Sequence, residues 1–303
     1  MLATRSPSQT LLAYLQMMRP ANILTAWADI LLGYAASGAA SGSLSPETLA
    51  ALAWLLLATT GLYGGGVVFN DVFDAELDAQ ERPERPIPSG RASLGEAIGL
   101  GTLLLAIGVT AAAQVSLLSA GLAGFIAIAA LSYDALAKHS LLLGPLNMGL
   151  CRGANLLLGV SVVPLAVQTH WFLALIPIVY IGAITLISQG EVNGGQRSTG
   201  AVALLMLAGV LASLLGLSLL PDYAWLPVLP FAALFAALVG PAFVRAMWQP
   251  TAEQIRGAVK AGILCLIVLD AAIAAGFTHW TYGLAVLALL PVSKGLAQLF
   301  AVT

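Results

Sequence analysis

Charge is what this chain has least of. Only 9% of its 303 residues are Asp, Glu, Lys or Arg, where a soluble globular domain carries about 25%. So few charges cannot clothe a water-facing surface, which excludes an ordinary soluble enzyme or binding domain. The net charge of −2 says little about partners, and no basic patch points to nucleic acid, so none is expected. Cysteine is nearly missing: Cys151 and Cys265 both lie in apolar runs, read as small buried hydrophobes, and leave no disulfide framework. The three histidines, His139, His170 and His279, stand at the ends of apolar runs without metal-ligand spacing. The first 20 residues are too polar for a cleaved signal peptide, so targeting falls to the first apolar run.

Apolar residues fill the chain instead, at 59% with a mean hydropathy of +0.94. Runs of about 20 residues, the length a helix needs to cross roughly 30 Å of hydrocarbon, recur from end to end. Only helices satisfy every backbone polar group within one segment in lipid. The sequence therefore predicts an all-α polytopic membrane protein, a single domain over residues 1–303 embedded in the lipid bilayer. Nine spans are expected at about 22–40, 48–69, 94–113, 117–135, 142–166, 171–188, 200–219, 225–246 and 258–277. A further apolar stretch at about 282–291 is too short to cross and is expected in the interface or against the bundle.

The few cations are sorted by side. The N-terminus and the connections after even-numbered spans hold Arg5, Arg19, Arg82, Arg85, Arg91, Lys138, Arg197, Arg245, Arg256 and Lys260. Connections after odd-numbered spans hold none, and Lys294 in the C-terminal tail is alone on that side. The positive-inside rule then places the N-terminus and the charged connections in the cytoplasm, at a bacterial inner or cell membrane. The opposite loops, such as "AVQTH" and "LLPDY", are short and almost bare. The chemistry is expected at the cytoplasmic face.

One stretch breaks the apolar pattern. "VVFNDVFDAELDAQERPERPIPSGRAS", residues 67–93, holds nine of the chain's 26 formal charges between Asp71 and Arg91. Asp71, Asp74 and Asp78 follow Asn70 at i, i+3 and i+7, which on an unbroken helix fall within about 60° of arc. Like charges on one face repel unless a cation sits among them. Oxygen ligands around one spot suit Mg2+, which keeps some waters and shares its shell with substrate phosphates. Arg82, Arg85 and Arg91 follow in a proline-stiffened loop, where guanidinium groups can take the remaining phosphate oxygens. The plain alternative is a solvated acidic helix end followed by a basic loop.

These residues resemble a known family. "NDVFDAELD" followed by "RPERPIPSGRAS" is similar to the first signature of the UbiA superfamily of intramembrane prenyltransferases, N-D-x-x-D-x-x-x-D and then an R-P-(I/L)-x-x-G loop. The match is complete at Asn70, Asp71, Asp74 and Asp78 and falls at the end of span two, as in the family. "MRPAN" opens span one as in many members, with Asn22 facing the site. "YDALAK" at the end of span four resembles a Y-x-x-x-K motif but is one residue longer between Tyr133 and Lys138. "GLCRGANLLLG" in span five, with Arg152 and Asn155, is also similar. "RPAN" in span one and "RGAN" in span five echo each other, as in a bundle of two similar halves.

The resemblance implies nine helices around a central cavity with two acidic motifs at its cytoplasmic mouth. Mg2+ would bridge the motifs, held by Asn70, Asp71, Asp74, Asp78 and the second motif, and would meet a prenyl diphosphate whose tail lies in an apolar tunnel. Metal, Arg and Lys would neutralise the departing diphosphate while a small or lipid acceptor attacks the cation-like carbon in a water-poor site. Lys138, Tyr133, Arg152, Asn155, Gln189, Asn193 and Arg197 would join Asn22 and the loop arginines in binding diphosphate or acceptor.

The second motif departs from the pattern. The end of span six, where most members carry two or three aspartates, reads "LISQGEVNGGQRSTG", with Glu191 as its only acid. Gln189 and Asn193 can ligate through carbonyl oxygens but bring no charge, so fewer metal ions or weaker binding are expected. The alternative is a plain polar loop. "SQGEVNGG" together with "RGAVKAGILCLIVLDAAIAAG" resembles the EboC-type members found in bacterial secondary-metabolite clusters.

Three charges fall inside spans, Asp29, Arg152 and Asp270, and each costs roughly 2.5–3.5 kcal/mol unless paired or hydrated. Asp29 shares a helix face with Asn22, so it either orients an acceptor and takes its proton or pairs structurally with Arg152. Asp270 has no partner in the sequence and reads as structural. Asp134 and Lys138, four apart, fit a surface pair, while their position keeps Lys138 as a diphosphate ligand. The expected function is Mg2+-dependent prenyl transfer. A family-fold protein that only binds or presents an isoprenoid lipid is the second reading, supported by the reduced second motif. A transporter is the third, opposed by polar residues that gather at one face instead of the midplane.

Overall fold

The computed structural model describes residues 7–42, 45–138 and 140–300; Arg5 and His139 lie outside the described residues. Helix α1 (Pro7–Met18) leads into α2 (Pro20–Ala36), which starts on a proline after Arg19 in the left-handed region, φ 48°. Helix α3 (Pro46–Phe73) starts on Ser45, whose Oγ accepts from Thr48 N at 3.2 Å. A short α4 (Ala75–Glu81) and the arginine loop follow, then α5 (Leu94–Ala113) behind a Ser93–Glu96 capping box. Helix α6 (Leu117–Ser132) runs into a π-helical turn, Tyr133–Ala137. Next come α7 (Leu143–Val160), α8 (Pro164–His170) and, through a 3-10 turn, α9 (Leu175–Ser188). The chain closes with α10 (Arg197–Gly216), α11 (Leu229–Trp248), α12 (Ala252–Phe277), α13 (Trp280–Leu287) and α14 (Leu289–Leu299). Among the described residues there is no strand.

Each of the nine expected spans is a helix: α2, α3, α5, α6, α7, α8 with α9, α10, α11 and α12. The middle of the bundle is held by α12, buried at every residue from 264 to 276, and by α2, buried at fourteen of its 17 residues. Outer helices turn leucines such as Leu103 and Leu205 to the lipid. Helices α2 and α7 touch backbone to backbone: a Cβ on Gly33 would lie 2.4 Å from Leu156 O, and one on Gly159 2.6 Å from Ile30 O. Small residues at such a seam let the polar side chains of both helices meet.

The C-terminal stretch packs against the bundle, one of the two expected placements, but is longer than expected. It is helical from Trp280 to Leu299 apart from a kink at Ala288, and at 20 residues it is long and apolar enough to cross a membrane. Tyr282 donates to Leu31 O at 2.9 Å and Ser293 to Ala21 O at 2.8 Å, which lays the stretch antiparallel along α2. Lys294 therefore returns to the end of the bundle where Arg19 sits. Ser293 and Lys294 interrupt the apolar run, which hid the crossing from a hydropathy reading. Among the described residues, every Arg and Lys except the buried Arg152 now lies toward one end.

Candidate active site

The ends of α2, α3, α6, α7, α9 and α12 surround a cavity of about 380 Å3. Its mouth is lined by Arg19, Asn70, Asp74, Asp78, Arg82, Arg85, Tyr133, Asp134 and Glu191. Below them the walls are apolar, with Leu62, Ile126, Met148, Ile181, Ile184, Ile263 and Leu266. A second polar zone, Thr59, Tyr63, Arg152 and Asn155, marks the deep wall. Thr59 lies twelve residues before Asp71 on α3, a fall of ~18 Å.

Helix α3 ends at Phe73, and Asp74 sits at the break before α4 with φ −92° and ψ 3°. The three aspartates therefore do not stack as they would on an unbroken helix. Asp71 and Asp78 turn to Arg85, at 3.3 and 2.7 Å, and Asp71 also takes Arg19 at 3.0 Å. Asp74 turns the other way, onto the Lys138 ammonium and the Asn70 amide, which donates at 3.2 Å. Arginine and lysine thus relieve the repulsion of these acids. Among the described residues no three acid, His or Cys side chains converge into a protein-only metal cage. The donor chemistry nonetheless fits Mg2+. The ligands facing the cavity are carboxylate and amide oxygens, and Glu191 Oε1 is buried without a hydrogen-bond partner among the described residues. Such a set suits a hard cation that keeps waters and phosphate oxygens in its shell.

The extra residue in "YDALAK" is absorbed by the π turn, where Lys138 N donates to Tyr133 O at 3.0 Å. π turns of this kind occur often at functional sites. Lys138 is thereby delivered to Asp74, and the surface pair with Asp134 does not form. Asp134 is instead buried in the mouth, where Asn70 Nδ2 donates to it at 2.9 Å.

The second motif is only partly inside. Glu191 lines the cavity, and Arg256 donates to its backbone oxygen at 2.9 Å. Burial pushes its carboxyl above the ordinary carboxylate range, against the opposing pull of Arg82, Arg256 and Arg19. Gln189 and Asn193 are exposed and do not line the cavity. Arg197 is also exposed, its guanidinium 5.9 Å from the Trp248 ring centroid. Arg91 turns away from the cavity to bond Gln16 and the Glu84 backbone.

Of the two readings of Asp29, the structure shows the pair: Arg152 donates to its Oδ2 at 2.6 Å. Arg152 also bonds Thr25 and lies over Tyr63, 5.3 Å from the ring centroid. Asn155 donates to the same Asp29 oxygen at 2.8 Å and accepts from Thr59 at 2.7 Å. Asp270 has a neighbour after all, in hydrogen-bond reach of Asp29. Asn22, Arg152 and Asn155 line the cavity as expected, while Asp29 and Asp270 stand behind its wall. Cys151, expected as a plain buried hydrophobe, also lines it.

Sequence reasoning missed Arg19 and Asp134 as members of the site. Arg19 was visible as a topological cation and within the "RPAN" motif, but without a role in the site. The signal for it is the following Pro20, which disfavours a helical conformation at the residue before it. Arg19 is the only described non-glycine residue with positive φ, and this backbone bend accompanies its bond to Asp71.

The pattern of the UbiA prenyltransferase family matches residues 30–259. The digeranylgeranylglyceryl phosphate synthase of Methanosarcina mazei is 31% identical over 217 residues, 67% of this chain and 75% of that protein. That of Ignicoccus hospitalis is 30% identical over 237 residues, 76% and 72% of the two. That of Methanosarcina barkeri is 33% identical over 162 residues, so the chain spans little more than half, 56%, of its length. Among solved structures, one of digeranylgeranylglyceryl phosphate synthase in membranes superposes with a TM-score of 0.66 at 20% identity, covering 88% of this chain and 98% of that one. A UbiA homologue from Aeropyrum pernix K1 superposes at 0.67 and 19% identity, covering 83% and 96%. One from Archaeoglobus fulgidus bound to GPP and Mg2+ superposes at 0.50 and 17% identity, covering 91% and 99%. At these identities the structures speak for the fold alone; the match over residues 30–259 carries more, and by it this chain belongs to the UbiA prenyltransferase family.

Proposed function

We propose that this protein uses Mg2+ to transfer a prenyl group from a prenyl diphosphate to a small or lipid acceptor at the cytoplasmic face of the membrane. The observation that carries the reading is one cavity in which an acidic, arginine-lined mouth stands over apolar walls. Asn70, Asp71, Asp74, Asp78 and Glu191 would hold the metal, which when bound supplies positive charge to the diphosphate oxygens. Arg85 and Lys138 neutralise the acids in this structure; with a cation held by the acids, they and the neighbouring Arg19 and Arg82 would be free to hold the diphosphate oxygens. As the C1–O bond breaks, its electron pair leaves on the diphosphate, where these cations stabilise it. The acceptor's lone pair closes on C1, and the acceptor's proton passes to water at the mouth. The apolar walls keep water from the cationic carbon. The synthase names of the relatives and the homologue bound to GPP and Mg2+ support this reading. The crowding of cations at one end supports the cytoplasmic side. A closer kinship with the EboC-type branch rests on the two quoted stretches alone.

The reduced second motif favours a second reading, in which an isoprenoid lipid is held without turnover. Titration of the purified protein with C10 to C20 prenyl thiolodiphosphates, which bind without reacting, tests what the two share. Binding is expected to need Mg2+ and to weaken at least about tenfold in Asp74→Ala and in Arg85→Met. Binding that ignores Mg2+ and both substitutions would contradict the site.

A further inference from the structure

Each carboxylate of the first motif has a cation against it: Asp71 has Arg19 and Arg85, Asp78 has Arg85, and Asp74 has Lys138. Glu81, Glu191 and Asp134 line the cavity with no such ion pair among the described residues; Glu81 is exposed, and the other two are drawn away from water. One is Glu191, with its orphaned Oε1. The other is Asp134, a residue 4% exposed whose hydrogen bond comes from a neutral amide. A carboxylate withdrawn from water and given one neutral donor is costly. The fold nevertheless sets it there, on the π turn, and sends its neighbour Lys138 to Asp74 instead.

Asn70 ties this carboxylate to the first motif. Its Nδ2 donates to Asp74 at 3.2 Å and to Asp134 at 2.9 Å, so carboxylates from α3 and from the π turn meet at one amide. Asp74, Asp134 and Glu191 all line the same cavity, with Tyr133 among them. With Gln189 and Asn193 outside the cavity and Glu81 exposed, the cavity-lining carboxylates withdrawn from water beyond the first motif are those of Glu191 and Asp134. Mg2+ selects such oxygens.

We propose that Asp134 is a ligand of the Mg2+ site, supplying from the π turn after α6 the negative charge that the second motif lacks. The inference rests on the prenyltransferase reading. The competing role for Asp134 is to position Asn70.

The test is Mn2+ binding, counted by electron paramagnetic resonance, to the full chain in nanodiscs with inorganic pyrophosphate. Asp134→Asn keeps an oxygen for the Asn70 amide and removes only the charge. It is expected to raise the Mn2+ Kd at least about tenfold, with Glu191→Gln comparable. If Asp134 merely positions Asn70, Asp134→Asn binds Mn2+ as the wild type does, and the inference is overturned. Should that variant fail to fold, Asp134→Glu moves the carboxylate by one methylene, and an unchanged Mn2+ spectrum and Kd overturns the inference equally. A wild type that takes up no Mn2+ defeats the prenyltransferase reading itself, whereas wild-type uptake unaltered in Asp134→Asn defeats only this inference.

Discussion

Arg152 is tolerable inside a bilayer because Asp29, Thr25 and the Tyr63 ring surround it. Removing one partner of a buried pair costs about 3–5 kcal/mol, while replacing both with apolar residues is often neutral. Arg152→Met is therefore expected to destabilise the protein by about that amount, and Asp29→Leu with Arg152→Met to recover most of it. Denaturant unfolding in micelles measures both; a double variant no better than the single would contradict the pairing. Asp29 Oδ1 and Asp270 Oδ2 have no hydrogen-bond partner among the described residues. In Asp270→Asn the new amide can donate to Asp29, so the melting temperature is expected to rise, and a fall would count against the arrangement. At this scale the first motif was legible because its acids and arginines occupy one stretch. The Asp29–Arg152 pair was legible as one of two readings, because each insertion cost demands a partner, although its members lie 123 residues apart. Arg19 and Asp134 were not legible, because their partners lie 52 and 64 residues away.

The seam between α2 and α7 decides whether those residues meet at all. Gly33→Ala puts a methyl group 2.4 Å from a backbone oxygen that cannot yield. It is expected to cost about 1–3 kcal/mol. Gly99→Ala, on α5 with open space around it, is expected to gain up to about 1 kcal/mol from helix propensity. Thermal melts of the two variants should move in opposite directions; a Gly33→Ala protein as stable as wild type would mean that the helices are not in contact. Helix number followed from the length of the apolar runs. The break at Asp74 and the π turn did not, because Asn70, Lys138 and Asp134 settle them through contacts between helices. The length of the C-terminal helical stretch stayed hidden because Pro291, Ser293 and Lys294 dilute its apolar run, although Ser293 turns to Ala21 O on α2.

For the molecule as a whole, the antiparallel course of α13 and α14 along α2 brings the end of α14 to the side where α2 begins. Green fluorescent protein fused after Thr303 is expected to fluoresce, and alkaline phosphatase at the same point to be inactive. The reverse pattern would put Lys294 on the far side and contradict a crossing by α13 and α14. That side is also where the cavity opens, so topology and chemistry stand or fall together. The most direct measurement of the central claim is pyrophosphate release by the purified protein in nanodiscs, given C5 to C20 prenyl diphosphates, Mg2+ and a cell lipid extract as acceptor pool. Release is expected to stop with a chelator and to fall by at least about 10²-fold in Asp74→Ala. Binding of the same donors without any release, across acceptor pools, would contradict catalysis and leave a protein that holds its isoprenoid unchanged.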